Sequence, residues 1–173
     1  MGRDDWYRRT TWTSEDRESF HARLSRSRGS RNKAQYARIQ AYCLAQTGNA
    51  ELVRSAIELL DLILAEWPEP FELPSVHWQY AQCLERLGDT SGAVTEYRRS
   101  LEAEALPGSA RTGAWKDFVW MVARAGLADL HEEALALAKA RQSQAMFPLD
   151  RFRIHAARAL IYGDTDQPEL AAT

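Results

Sequence analysis

Between His77 and Leu101, apolar residues recur at three- and four-residue steps on both sides of a Gly88-Asp89 dipeptide. Such spacing places the apolar side chains on one face of an α-helix. Before the glycine they are Trp78, Tyr80, Ala81, Leu84 and Leu87, and after it Ala93, Val94, Tyr97 and Leu101. Gly88 fits a left-handed helix end, and Asp89 can cap the helix that follows. The stretch predicts two helices joined by a tight turn.

The glycine position repeats along the chain, because Gly48, Gly88, Gly126 and Gly163 each follow a helical pattern. Residues 11, 8, 7 and 4 positions before each glycine share one helix face, which predicts the packing seam of each unit. In chain order the seam holds Ala37, Gln40, Ala41 and Leu44; His77, Tyr80, Ala81 and Leu84; Trp115, Phe118, Val119 and Val122; and Phe152, His155, Ala156 and Ala159. One helix pair cannot bury its apolar faces alone, so the repetition predicts stacked pairs that share a core.

The pattern divides the chain into repeated segments within a single domain. They are an arm at 1–12, a leading helix at 13–28, helix pairs at 32–68, 73–105 and 109–147, and a partial repeat or cap at 149–173. Thr13 and the acids that follow it suit the start of the leading helix. Pro68, Pro107-Gly108 and Pro148 interrupt the helical pattern and mark the segment ends. The arm carries Trp6, Tyr7 and Trp12, which we expect to lie against the body.

Residues 75–105 resemble a tetratricopeptide repeat. A bulky residue opens the first helix, the small Ala81 lies midway, a Gly-Asp turn follows, and Ala93, Tyr97 and Ser100 occupy the second helix. The first helices at 112–126 and 149–163 also match, whereas 34–68 is weaker, with Ala37 in place of the opening aromatic. The resemblance, which extends to small bacterial proteins of this type, implies an all-α, right-handed α-solenoid of antiparallel helix pairs: three repeats with an N-terminal helix and a partial C-terminal repeat. It implies no particular activity.

Composition narrows the class of protein. The chain is 45% hydrophobic with a formal net charge of −2, which argues against disorder and against bulk attraction to nucleic acid. No apolar run is long enough to span a membrane, and the charged N-terminus does not resemble a secretory signal, so we expect a cytoplasmic protein. Cys43 and Cys83 occupy equivalent repeat positions. We expect small, buried, reduced residues there rather than a disulfide or metal pair.

Motifs for catalysis or metal binding do not stand out. Phosphate-binding glycine loops and the nucleophile motif G-x-S-x-G are missing from the sequence. His131-Glu132-Glu133 begins like a zinc-protease helix, but Leu135 stands where the second histidine would be, so an acid-rich helix start is expected. His77 and His155 fall on the seam, as hydrogen-bonded core or edge residues would. We therefore expect no enzyme activity, no catalytic residues, no metal and no cofactor.

A second helix face, rotated by one residue from the seam, mixes cations with large aromatics. We call it the basic–aromatic stripe: Arg38, Tyr42, Trp78, Gln82, Arg86, Lys116, Trp120, Arg124 and Arg153, with Gln46 at the position equivalent to Arg86. In a helical solenoid the first helices line the concave side, so these residues would face a groove. Guanidinium groups bind carboxylates and aromatics anchor side chains, which favours an acidic or C-terminal peptide as partner. The alternative is that the stripe only solvates and packs the scaffold.

Three functions fit these features. The leading hypothesis is a non-enzymatic protein-interaction module that binds a peptide or partner protein in the basic–aromatic groove. A second is an immunity or antitoxin-type inhibitor that blocks a bacterial toxin with its surface. A third is a nucleic-acid-associated protein that uses the basic N-terminal region, where residues 1–33 hold nine Lys and Arg against five acids. The net charge of −2 disfavours this hypothesis.

Overall fold

The computed structural model describes residues 5–164, and within that range the chain forms eight α-helices and no strand. They are α1 (Ser14–Arg26), α2 (Ser30–Ala45), α3 (Ala50–Glu66), α4 (Leu73–Leu87), α5 (Thr90–Glu104), α6 (Ala114–Arg124), α7 (His131–Arg141) and α8 (Pro148–Asp164). Short 3-10 helices occupy Asp5–Tyr7, Ala128–Leu130 and Gln142–Gln144. The expected all-α class is confirmed. The parts of the predicted arm and partial repeat at 1–4 and 165–173 lie outside the described residues.

Polar side chains cap the N-termini of three helices, α1, α3 and α5. The Thr13 hydroxyl accepts a hydrogen bond from the Asp16 amide, and Asp16 accepts in return from the Thr13 amide, which completes a capping box at α1. Asn49 accepts from two amides at the start of α3, and Asp89 accepts from the Gly92 amide at the start of α5. Gly88 ends α4 with φ 80°, the left-handed conformation that its position predicts.

The chain divides after Thr112 into two compact units, which we call the first and second units. In the first unit each helix from α2 to α5 packs against the next one in the chain. Buried alanines lie on each of these four helices, and they include Ala37, Ala56, Ala81 and Ala93, all 0% exposed. Small side chains allow the helix axes to approach closely. Larger residues such as Leu60 are then completely buried between the helices.

Polar side chains of α5 reach α4 and fix that helix pair. The buried Ser100 hydroxyl donates to the Pro74 carbonyl at 2.7 Å. Glu96 lies 2.7 Å from Nδ1 of His77, and the Tyr97 hydroxyl donates to Glu85 at 2.5 Å. Because an unsatisfied buried polar group is costly, these bonds favour one register between the two helices. The expectation that His77 is a hydrogen-bonded edge residue is confirmed.

In the second unit α6 packs against both α7 and α8. Its seam is as predicted, since Trp115, Phe118, Val119 and Val122 are buried. The third pair is shorter than expected: α6 begins only at Ala114, after the left-handed Gly108 and the Gly113 cap, and α7 ends at Arg141. As expected, α7 begins at His131 with Glu132 and Glu133 in its first turn, and the structure adds that His131 is buried.

The predicted seam of the last helix is wrong. Phe152 is 67% exposed, His155 and Ala159 are exposed, and Ala156 is half-buried, whereas Ile154, Ala157 and Ile161 form the buried face of α8. The reason is that Gly163 does not end the helix, because α8 continues through it to Asp164. Counting back from Gly163 therefore selected a different helix face from the one that packs on α6.

The two cysteines are free but differ in burial. Cys83 is 1% exposed, and burial raises the pKa of its thiol to about 11. Cys43 is only half-buried, so the expectation of burial is wrong for this residue, although burial also raises the pKa of its thiol. The two equivalent repeat positions therefore differ in how far the neighbouring helices cover them.

We predict that Ala81→Leu lowers the free energy of unfolding by about 1–3 kcal/mol, because no space remains for a larger side chain at a fully buried helix contact. Chemical denaturation measures the change. Ala65→Leu on the exposed side of α3 is the control and should change stability by less than about 0.5 kcal/mol. Equal stability of the two variants would contradict the packing of α4 described above.

We also predict that a thiol reagent labels Cys43 first and reaches Cys83 only when the protein unfolds, because Cys83 is buried. Only the thiolate reacts, and both thiol pKa values are raised, so labelling of Cys43 should keep increasing at pH values where an ordinary thiol has levelled off. In Cys43→Ser the fast phase should disappear. A fast phase that persists in this variant would show that Cys83 is accessible.

Candidate functional site

The first unit brings five residues of the basic–aromatic stripe onto neighbouring helices. Arg38 and Tyr42 lie on α2, and Trp78, Gln82 and Arg86 lie on α4. At one end of this surface the Arg86 guanidinium donates to the Gln46 side chain at 3.4 Å, which joins equivalent positions of the two helices. We call this surface, with Gln46, the α2/α4 face. This hydrogen bond is a direct contact between stripe positions of the two first helices in this unit.

At the other end of the α2/α4 face Arg38 forms an ion pair. Its Nε lies 2.7 Å from Oε2 of Glu72, the residue that immediately precedes α4. The Glu72 side chain is 4% exposed and that of Arg38 is 21% exposed. The Gln79 side chain also contacts Arg38. With its amide oriented so that both ends have hydrogen-bond partners, its oxygen accepts from Arg38 Nη1 at 3.1 Å. Arg38 therefore neutralises a buried carboxylate and ties α2 to α4, which leaves little of its charge for a partner.

Several side chains of the α2/α4 face are accessible to a partner. Tyr42 is 47% exposed and Arg86 is exposed, while Trp78 and Gln82 are half-buried. Aromatic rings offer large contact areas at low entropic cost, and an exposed guanidinium can bind a carboxylate with two parallel hydrogen bonds. The face thus combines aromatic side chains with an accessible guanidinium and the amides of Gln46 and Gln82.

The second unit holds the remaining four stripe residues, on α6 and α8. Lys116 lies 2.7 Å from Asp150, and Arg153 lies 3.2 Å from Asp117. The Arg153 guanidinium also lies 5.5 Å from the centre of the Trp120 ring, within range of a cation–π interaction. Arg124 is exposed near the end of α6. The structure therefore brings Trp120, Arg153 and Lys116 together as contacts that join α6 to α8.

The acidic partners of the stripe were missed in the sequence. Glu72, Asp117 and Asp150 each form an ion pair with a stripe cation: Arg38, Arg153 and Lys116 respectively. A signal was present, because Arg38 and Glu72 are separated by 34 residues, and so are Lys116 and Asp150. Opposite charges spaced by about one repeat favour ion pairs between successive first helices. The stripe supports the scaffold as well as exposing part of its surface.

Metal sites and membrane spans have little support among residues 5–164. No three His, Cys, Asp or Glu side chains in that range gather as metal ligands would. None of the described helices has both the length and the apolar character needed to cross a lipid bilayer.

No protein-family model, curated protein or solved structure matches the chain significantly. What the protein does must therefore be inferred from its own residues.

We predict that Arg38→Ala lowers the free energy of unfolding by about 1–3 kcal/mol, because Glu72 then remains buried without its charged partner. The matched control is Arg86→Ala, which removes an exposed guanidinium from the same face and should cost less than about 0.5 kcal/mol. Adding Glu72→Gln to Arg38→Ala should restore part of the loss, since a neutral amide is cheaper to bury. Equal stability of the two arginine variants would show that the ion pair is not structural.

Proposed function

We propose that this chain is a non-enzymatic protein-interaction module whose α2/α4 face binds an extended segment of another protein. The contact between Gln46 and Arg86 carries the proposal, because it places equivalent stripe positions of two helices side by side. Tyr42 and Arg86 are exposed on these two helices, and Trp78 and Gln82 on α4 are half-buried. A surface that joins two helices can contact several residues of a bound peptide at once.

The preferred partner carries a carboxylate beside a large apolar side chain. Arg86 supplies the accessible guanidinium, and the Gln82 amide can bind a peptide group in either direction. Tyr42 and Trp78 supply the apolar contact area. A free C-terminal carboxylate and an acidic side chain offer the same chemistry to Arg86, so amidated peptides distinguish the two sources.

We place the module in the tetratricopeptide-like class, as a right-handed solenoid of helix pairs. Support comes from the repeated turn glycines, of which Gly48, Gly88 and Gly126 all adopt positive φ, and from the packing of successive helices in the first unit. In such an array the first helices provide the binding surface. Two free thiols support a reducing, cytoplasmic location.

The proposal is tested by fluorescence anisotropy with labelled ten-residue peptides that combine acidic residues with one large apolar residue. We expect Tyr42→Ala with Arg86→Ala to weaken binding by at least about tenfold, since each charge-assisted contact contributes on the order of 1.5–3 kcal/mol. The melting temperature should hardly change, because both side chains are exposed. Binding should weaken as salt is added, because exposed charges are screened.

The matched control replaces an exposed arginine and an exposed aromatic elsewhere, Arg54 on α3 and Phe71 before α4, with alanine. This pair should leave peptide affinity within about twofold of the unchanged protein. Acidic peptides that bind both double variants equally well would exclude the α2/α4 face as the binding surface. Equal affinity for peptides of opposite charge would exclude recognition of a carboxylate.

A further inference from the structure

A cavity of about 640 Å³ lies in the second unit, where the end of α7 meets α8, and we call it the α7/α8 cavity. Ala145 and Ile154 form its buried, apolar lining. Its other lining residues are polar and exposed: Lys139, Gln142, Ser143, Arg151 and His155. Small-molecule sites in proteins usually enclose roughly 300–1,000 Å³. The cavity is therefore large enough for a small molecule, and its polar lining favours a charged one.

The chain around the α7/α8 cavity is strongly basic. Between residues 134 and 163 the sequence holds four arginines, one lysine and one acid, Asp150. That acid already forms an ion pair with Lys116 of α6, 2.7 Å away. Within residues 5–164 neither Lys139 nor Arg151 forms an ion pair with a carboxylate. A chain whose net charge is −2 thus places two cations without an acidic partner in the lining of one cavity.

Part of this charge has a structural explanation. Lys139 and Arg141 lie in the last turn of α7, where cations interact favourably with the helix macrodipole. The same explanation does not extend to Arg151, which is the fourth residue of α8 and lies near the end where the macrodipole favours anions. A cation there gains nothing from its own helix, whereas a bound anion would be stabilised by both the guanidinium and the start of α8.

The backbone holds the Arg151 guanidinium in place. Its Nε donates to the Ala145 carbonyl at 2.9 Å, in the segment that joins α7 to α8. The two terminal amino groups of Arg151 form no hydrogen bond with any residue in the described range 5–164. A guanidinium that is oriented in advance loses little side-chain entropy when these two groups bind a phosphate through parallel hydrogen bonds.

The hydrogen-bond donors around the α7/α8 cavity fit a ligand with many acceptor oxygens. Lys139 and Arg151 each offer several N–H donors, and Gln142, Ser143 and His155 can each donate as well. One carboxylate has only two oxygens, whereas a phosphate group presents three strong acceptor oxygens. Two adjacent phosphates also carry enough negative charge to pair with both cations. We propose that the α7/α8 cavity binds a small molecule that carries two adjacent phosphate groups.

Isothermal titration calorimetry of the full chain with sodium pyrophosphate tests the proposal at low ionic strength. We expect one pyrophosphate per chain and at least about tenfold weaker binding in Arg151→Gln, which removes a charge-assisted contact. Lys139→Gln should weaken binding to a similar extent. It also serves as the second variant should Arg151→Gln, which loses the bond to Ala145, prove unstable in thermal denaturation.

The matched control is Arg54→Gln, which makes the same change in net charge at an exposed position of α3. It should leave the affinity for pyrophosphate within about twofold of that of the unchanged protein, because distant exposed charges are screened. Equal weakening in Arg54→Gln and Arg151→Gln would overturn the proposal, since affinity would then depend on net charge and not on the cavity. Absence of pyrophosphate binding at millimolar concentration would overturn it too.

Three further titrations test the class of ligand. Orthophosphate, with a single phosphate group, should bind at least about tenfold more weakly than pyrophosphate. Citrate presents several carboxylates in a compact molecule, and tighter binding of citrate would overturn the assignment to phosphate. Single-stranded oligothymidine carries phosphates on a polymer. If it binds more tightly than pyrophosphate and loses affinity in Arg151→Gln, the cavity belongs to a nucleic-acid surface and the proposal of a small ligand is wrong.

These outcomes are independent of peptide binding by the α2/α4 face. Peptide binding is tested with Tyr42→Ala and Arg86→Ala in the first unit, whereas Arg151 and Lys139 lie in the second unit. Either proposal can therefore fail without affecting the other.

Discussion

Close approach between helices is the constraint on which the rest of the first unit depends. Ala37, Ala56, Ala81 and Ala93 are completely buried, one on each helix from α2 to α5. At such positions a longer side chain would push two helix axes apart and open the contacts of the larger residues around them. The ion pair of Arg38 with Glu72 and the bond of Arg86 to Gln46 both join α2 to α4, so they depend on that spacing as well.

Polar groups select one arrangement among the many that apolar packing would allow. Ser100, Glu96 and Tyr97 each form a hydrogen bond from α5 to α4, and shifting the helix pair by one residue would break all three. Their contribution is specificity more than net stability, because each bond replaces one that water would have provided. The same reasoning applies to Lys116 and Arg153 in the second unit, which hold carboxylates while forming contacts from α6 to α8.

The candidate binding surface shares its residues with the scaffold. Arg38 satisfies a buried carboxylate, whereas Tyr42 and Arg86 remain exposed on the same face. Arginine and aromatic residues of the stripe can therefore have different roles. Only the exposed ones can contact a partner without giving up a contact that stabilises the scaffold. Because of this division, replacing Tyr42 and Arg86 should change the affinity for a peptide, whereas replacing Arg38 should change the free energy of unfolding.

The sequence by itself determined the all-helical class, the turn at Gly88, the caps at Thr13 and Asp89, and the seam of α6, because local spacing and capping chemistry decide these features. It contained a spacing of 34 residues between Arg38 and Glu72 and between Lys116 and Asp150, but only helix packing decided that these opposite charges, and Arg153 with Asp117, form ion pairs. It also assigned the wrong inner face to α8. That helix carries two apolar faces, and periodicity alone cannot rank them. Only contact with α6 decided that Ile154, Ala157 and Ile161 are buried and that Phe152 is exposed.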